Sequence, residues 1–410
     1  MKFPRVLVIC PTPINLYCGG GVTMASFFKG WPKDSIAQIY SFPIKPQDHS
    51  IVETELVIRS YGSSNKKILK EIKFIRKVIS KASGYYFADF KAILSWCQTF
   101  LPQVIYAQPC DPLPFYWWLP YRLSQSLEIP LITHIMDDWP GLLEKKYISN
   151  IPKVCILKHE LPRLLKSSQK NLGISDQMCK AFEKRYNVPF VKFHNSIEVE
   201  KWMEICQNYE DTKNVFNISY TGALVSRMQL QSVIDLAVVV SRLREKGHNI
   251  FFNIYASHLY DKVANSHLTG FPGVLYRGYI EHAKLPGCLA SADVLFLPVN
   301  FDGKSLHFVR YSMPTKVPEY MASGTPVLVY GPLETPPVSY ADSCKWGYVV
   351  SNRNLEELEN AVLELMSSVK LRKELGQRAR NLALQDFDAD KIRQEFRQLI
   401  CDVTFHGKNA

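Results

Sequence analysis

The segment Tyr311-Ser312-Met313-Pro314-Thr315-Lys316-Val317-Pro318-Glu319-Tyr320-Met321-Ala322-Ser323-Gly324-Thr325-Pro326-Val327 passes from loop to helix to strand. Its start reads as a loop, a helix begins near Thr315, Gly324 stops it, and an apolar strand opens at Val327. A helix that ends on glycine and runs into a wholly apolar strand is one half of a strand–helix–strand unit. The same alternation recurs on both sides of it. Strands are expected at Val6–Cys10, Val104–Ala107, Leu131–Ile135, Ile218–Tyr220, Ile250–Tyr255, Val294–Leu297 and Val327–Val329, with helices between them that include Leu230–Lys246 and Leu355–Leu365. Strands that do not alternate polar with apolar, spaced by amphipathic helices, are buried on both faces, which makes the class α/β with parallel, doubly wound sheets. The pattern occurs twice, separated by the polar run Asn208–Asn214. We expect one domain over 1–205 and a second over 206–388, with a last helix near 389–403 that packs back on the first. Two such domains facing each other would bind ligands in a cleft at the carboxyl ends of their strands.

Within the opening segment, Ser312, Thr315 and Lys316 cluster where free amides and the helix dipole favour phosphate. Glu319 follows one turn later, so Lys316 at i−3 can point the same way. A carboxylate there can accept hydrogen bonds from adjacent ribose hydroxyls while the lysine neutralises a diphosphate. The competing reading is a Lys–Glu surface pair on an ordinary helix.

The composition narrows the partners. The chain has 410 residues, 49 of them Lys or Arg against 38 Asp or Glu, for a net charge of +11. Residues 1–196 hold 26 basic and 14 acidic side chains, so the whole of the excess lies in the first half and the remainder is one charge negative. That half would suit an anionic partner. The ten cysteines contain no Cys-x-x-Cys pair, which fits reduced thiols in a cytoplasmic protein rather than a zinc site or a disulfide framework. No apolar run is long enough to span a bilayer. Lys66–Lys81 carries seven basic residues and one acid, with Ile68, Leu69, Ile72, Ile75 and Ile79 at helical spacing. It reads either as a helix lying on an anionic membrane surface or as one burying its Ile stripe against the domain. Tyr85, Tyr86, Phe87, Phe90 and Trp96 follow it. Nucleic acid is not expected as a partner, because no zinc-finger spacing or RNP-type aromatic motif is present.

The glycines of Cys18-Gly19-Gly20-Gly21-Val22, after the first strand, allow backbone amides to approach an anion; a plain flexible turn is the alternative. Glu319-Tyr320-Met321-Ala322-Ser323-Gly324-Thr325-Pro326-Val327 resembles the sugar-nucleotide signature of family-4-type retaining glycosyltransferases (group 1). Further landmarks resemble the same family in order: Gly19-Gly20-Gly21, Ile174-Ser175, His194-Asn195-Ser196-Ile197-Glu198, Tyr220-Thr221-Gly222-Ala223-Leu224, Tyr276-Arg277-Gly278-Tyr279-Ile280 and Ala292-Asp293-Val294-Leu295-Phe296-Leu297-Pro298. The resemblance implies the GT-B fold, two facing Rossmann-like domains with an acceptor site in the first and a nucleotide-sugar site in the second, and no metal or other cofactor.

On that resemblance Glu319 binds the donor ribose, and Gly278, Tyr279 and Ile280 contact the base. Ser312, Met313 and Thr315 hold phosphate or sugar, with Gly20, Gly21 and Gly222 as close-approach glycines. Tyr311 stands where the family has the first of two paired glutamates. Ala223 replaces a usual Arg and Met228 a usual Lys, which leaves Arg227 and Lys316 to supply diphosphate charge. In Thr133-His134-Ile135-Met136-Asp137-Asp138, at the end of a first-domain strand, Met136-Asp137 occupies the family's His-Asp positions. Asp137 or Asp138 can deprotonate or orient an acceptor hydroxyl. Asp138 can equally cap the next turn, and His134 reads as a satisfied core histidine.

The expected activity is transfer of a sugar from a nucleoside diphosphate sugar to a hydroxyl of a glycan or lipid-linked acceptor, with retention. It would serve cell-surface polysaccharide synthesis, in the cytoplasm or at the inner face of the membrane. A sugar-nucleotide 2-epimerase and a non-catalytic glycan-binding protein on the same fold are the alternatives.

Overall fold

The computed structural model describes residues 3–14, 19–41, 51–52, 54–57, 90–110, 115–145, 147–206 and 215–405. The basic run Lys66–Lys81, the aromatics Tyr85–Phe87 and the polar run Asn208–Asn214 lie outside the described residues. The chain divides into two compact units, Met1–His194 with Asp390–Ala410, and Asn195–Ala389.

The first unit holds a sheet of seven parallel strands: β1 (Val6–Ile9), β2 (Ile36–Tyr40), β3 (Thr54–Val57), β4 (Val104–Ala107), β5 (Leu131–Ile135), β6 (Lys170–Gly173) and β7 (Val191–Lys192). They run in the order β3-β2-β1-β4-β5-β6-β7. The order reverses between β1 and β4, and helices cover the sheet, as a doubly wound sheet requires. Helix Ala389–Phe405 belongs to this unit through one apolar stripe. Its Ile392, Phe396, Ile400 and Val403 are buried with Phe27, Phe28 and Tyr106, and Phe396 stacks on Phe27 with centroids 4.8 Å apart.

The second unit repeats the plan with six parallel strands: β8 (Phe216–Thr221), β9 (Ile250–Tyr255), β10 (Val274–Gly278), β11 (Val294–Pro298), β12 (Val327–Tyr330) and β13 (Tyr348–Val350). Their order is β10-β9-β8-β11-β12-β13, with the reversal between β8 and β11. Phe216, Ile218 and Tyr220 of β8, with Phe296 and Leu328, pack under helix Leu230–Glu245; Leu295, Leu297, Val327 and Val329 pack under helix Lys316–Ser323. β11 and β12 therefore bury both faces, which is why each reads as an unbroken apolar run, whereas β8 alternates and places Ser219 and Thr221 among its buried residues. This α/β, doubly wound architecture is the one the alternation of apolar runs implies.

Among the described residues no helix is long and apolar enough to cross a membrane.

Candidate functional site

Helix Lys316–Ser323 is clamped at its far end. Gly324 adopts the left-handed conformation (φ 72°) that closes a helix without a Cβ clash, and Arg380 Nη2 donates to the last carbonyl, Ser323 O, at 2.7 Å. From helix Val369–Asp386, Gly376 comes so close that any Cβ there would overlap the Gly324 carbonyl oxygen. Val317, Tyr320, Met321 and Ala322 are fully buried in the core below. The helix is thus fixed, with its first turn at the carboxyl edge of the sheet, beside the switch between β8 and β11.

Lys316 and Glu319 leave that first turn in different directions. The Lys316 ammonium donates to Tyr220 Oη at 3.1 Å and lies 4.2 Å from the centre of the Tyr220 ring. It fits there because Gly222, at φ +141°, carries no Cβ; a methyl at that position would overlap Lys316 Nζ. The Glu319 carboxylate, 19% exposed, turns toward His282 Nε2 at 3.9 Å, on the short turn after β10. The two are therefore not a closed surface pair. Burial lowers the lysine to about 7, opposed by the nearby Glu319 charge. Burial also raises Glu319 to about 7, opposed by Lys316. A weakly solvated cation and a weakly solvated carboxylate, side by side and uncommitted to each other, are suited to a ligand that supplies both anion and hydroxyls.

The other expected donor residues gather on the same edge of this unit. Arg227 is exposed on the turn after β8, and that turn is held by Asn300, whose Nδ2 donates to Ser226 O at 2.8 Å and whose Oδ1 accepts from Ser232 N at 3.1 Å. Gly278 (φ 73°) ends β10; Tyr279 beyond it is 57% exposed, its ring 5.9 Å from that of His258, and Ile280 is half-buried. Ser312 and Met313 are half-buried in the loop before the helix, and Thr315 is exposed, making no side-chain cap bond to it. Tyr311 lies under the Arg310 guanidinium at 5.8 Å.

In the first unit, Gly20 and Gly21 open helix Gly19–Phe28, with Gly20 facing Gln108 at the end of β4. Asp137 is exposed just past β5, at the carboxyl edge. Asp138 is different: 2% exposed, it accepts from Gly141 N at 3.1 Å and from Arg185 Nη1 at 2.9 Å. It caps a helix and anchors an arginine, which corrects its assignment as an acceptor base. Replacing Asp138 by Ala should cost about 3 kcal/mol of stability, because it strands a largely buried guanidinium and removes a cap. The denaturation midpoint should fall while nucleotide affinity stays at the wild-type value; lost turnover at unchanged stability would return Asp138 to the chemistry. His134 is fully buried, bonded to Tyr106 Oη at 2.6 Å and Phe193 O at 3.0 Å, and burial lowers it to about 3, so it is a neutral core residue.

Tyr220, His282 and Asn300 belong to this site and are given no role by the sequence. Asn300 had a usable signal: a polar residue that ends the buried run of β11 at the carboxyl edge. Tyr220 stands only as the first residue of a family landmark, since an aromatic inside a strand otherwise reads as core.

Residues 216–368 match the family model described as Glycosyl transferases group 1. A curated relative, the poly(ribitol-phosphate) alpha-N-acetylglucosaminyltransferase of Staphylococcus aureus (strain COL), is 24% identical over 213 residues. The alignment covers 47% of this chain and 40% of the relative, so the chain spans about two fifths of the length of that protein. Sucrose-phosphate synthase from Thermosynechococcus elongatus superposes with a TM-score of 0.67 at 13% identity, over 97% of this chain and 99% of its own. Anabaena HepE in complex with UDP does so with a TM-score of 0.67 at 13% identity, over 97% and 100%. At such identities the structural likeness speaks for the fold.

Proposed function

We propose that this chain, a group 1 glycosyltransferase of the GT-B fold, moves a glycosyl group from a nucleoside diphosphate sugar to a hydroxyl of a glycan or lipid-linked acceptor. The observation that carries the reading is the divergence of Lys316 and Glu319 on one rigid helical turn: the cation is held on Tyr220 and the carboxylate faces His282. Glu319 accepts the ribose hydroxyls, and Gly278, Tyr279 and Ile280 border the base. Lys316 and Arg227, with the amides at the start of the helix and Ser312 and Thr315 beside them, take the charge that develops on the diphosphate as the sugar–oxygen bond breaks. Preorganised charge at a leaving group is worth ~10²–10³ in rate per donor. With protein cations doing this work, the reaction needs no metal or other cofactor. Asp137 orients the acceptor hydroxyl. The transfer retains the anomeric configuration, a reading that rests on the resemblance of Glu319–Val327 to retaining enzymes and is checked by the anomeric coupling of the product.

An acidic surface polymer is the acceptor class we favour. The excess of 26 basic over 14 acidic residues in positions 1–196 suits it, and the curated relative is named for a ribitol-phosphate polymer. We read the reaction as cytoplasmic, or at the inner face of the membrane, where a nucleotide-sugar pool can supply the donor.

The test is release of nucleoside diphosphate from a panel of UDP-, GDP- and dTDP-sugars, in EDTA, with and without a polyol-phosphate polymer. Acceptor-dependent release from one donor is expected. No release from any donor contradicts the proposal, and conversion of the donor without acceptor points instead to an epimerase.

A further inference from the structure

We propose that Tyr220, a core residue of β8, is the positioning residue of Lys316: its ring and hydroxyl hold the side-chain nitrogen in the notch at Gly222, so that it stands in place before a diphosphate arrives. The inference rests on Lys316 meeting the diphosphate, as proposed above, and goes on to say what aims it.

The hydrogen-bond polarity is fixed by the surroundings. Tyr220 is fully buried and its hydroxyl donates to Ala223 O at 2.5 Å. A phenol has one proton to give, so its lone pairs are what Lys316 Nζ meets at 3.1 Å. The ring face adds a second attraction, with Nζ 4.2 Å from its centre, inside the range of a cation–π contact. One of the three ammonium protons goes to Tyr220, and neither of the others reaches a carboxylate within ion-pair distance among the described residues. They remain for an anion.

The anchor itself is rigid. Thr221 N, the next residue, donates to Tyr320 Oη at 2.9 Å, and Tyr320 sits on the same helix as Lys316. Ala223 O also accepts from Gln229 Nε2. Strand end, turn and helix are therefore tied together around the ammonium. Free, a lysine side chain samples many rotamers; here that entropy is spent on folding rather than on binding.

The test is a double-mutant cycle read by calorimetric titration with UDP. Tyr220→Phe keeps the ring and removes the lone pairs, and Ala223 O still has Gln229, so the fold should persist. We expect a loss of UDP affinity of about five- to tenfold in the wild-type background, the net size of one ordinary hydrogen bond. In the Lys316→Met background the same change should have no effect, and the alkaline fall in UDP affinity should begin at a different pH in Tyr220→Phe than in wild type. Equal losses in both backgrounds would show that Tyr220 is merely structural and overturn the proposal. If Lys316→Met alone leaves UDP affinity intact, the donor-site reading fails instead.

Discussion

Donor turnover by Lys316→Met should fall ~10²–10³-fold, the cost of removing one preorganised charge from a departing oxyanion. The loss should appear mainly in kcat, because the charge on the diphosphate is greatest as the sugar leaves. The pH profile gives an independent check. Burial lowers Lys316 to about 7 in the free protein. A bound diphosphate adds negative charge beside it and raises it, so UDP binding takes up a proton above that pH. Affinity should then decline as pH rises from 7, by up to about tenfold per unit, until the bound-state value is reached. Titration in buffers of different ionisation enthalpy at pH 8 would reveal the proton. The Met variant should show neither the decline nor the uptake. A wild-type affinity that is flat from pH 7 to 9 and equalled by that of the Met variant would mean that Lys316 does not meet the diphosphate.

Glu319→Ala should lower UDP affinity by about 3 kcal/mol, or ~100-fold, as two hydrogen bonds from ribose to a charged acceptor are lost. Its nearest polar contact is His282 at 3.9 Å, so little in the fold depends on it and the melting transition should stay near wild type. Glu319 is raised to about 7 by burial, so it becomes a poorer acceptor as pH falls below that value. Wild-type affinity should therefore also weaken on the acid side, and the Ala variant should lose that limb alone. Uridine 2′,3′-dideoxy diphosphate should bind wild type and variant equally. If the variant instead binds UDP as wild type does, the ribose lies elsewhere.

The parts of the fold that sequence alone reveals are those where burial on both faces leaves no room for polar residues. Val6–Ile9, Val294–Pro298 and Val327–Tyr330 are wholly buried and wholly legible. β2 is as buried as they are, yet Gln38 interrupts its pattern; that side chain is satisfied by Ile14 N at 3.0 Å and Glu55 at 3.3 Å, partners far off in sequence. β3, β7 and β10 sit at sheet edges, half-buried or exposed, and lack an apolar run for that reason. At the site, the Lys316–Glu319 spacing could be read, but its meaning could not. Helical spacing allows an ion pair, and only the Gly222 notch and the Tyr220 hydroxyl, nearly a hundred residues upstream, draw the lysine away. Asp137 and Asp138 are adjacent and chemically identical in the sequence. Arg185, reached through a separate helix, sends one inward and leaves the other at the strand end.

Calorimetric titration of the wild-type protein with UDP, UMP and uridine in EDTA at pH 7 puts the central claim to its plainest test. The proposed site predicts that affinity rises steeply with each phosphate, UDP binding about 100-fold or more tightly than uridine, because Lys316 and Arg227 have nothing to hold in the nucleoside. Equal affinity for the three ligands, or no binding of UDP, GDP, ADP or dTDP, would contradict it.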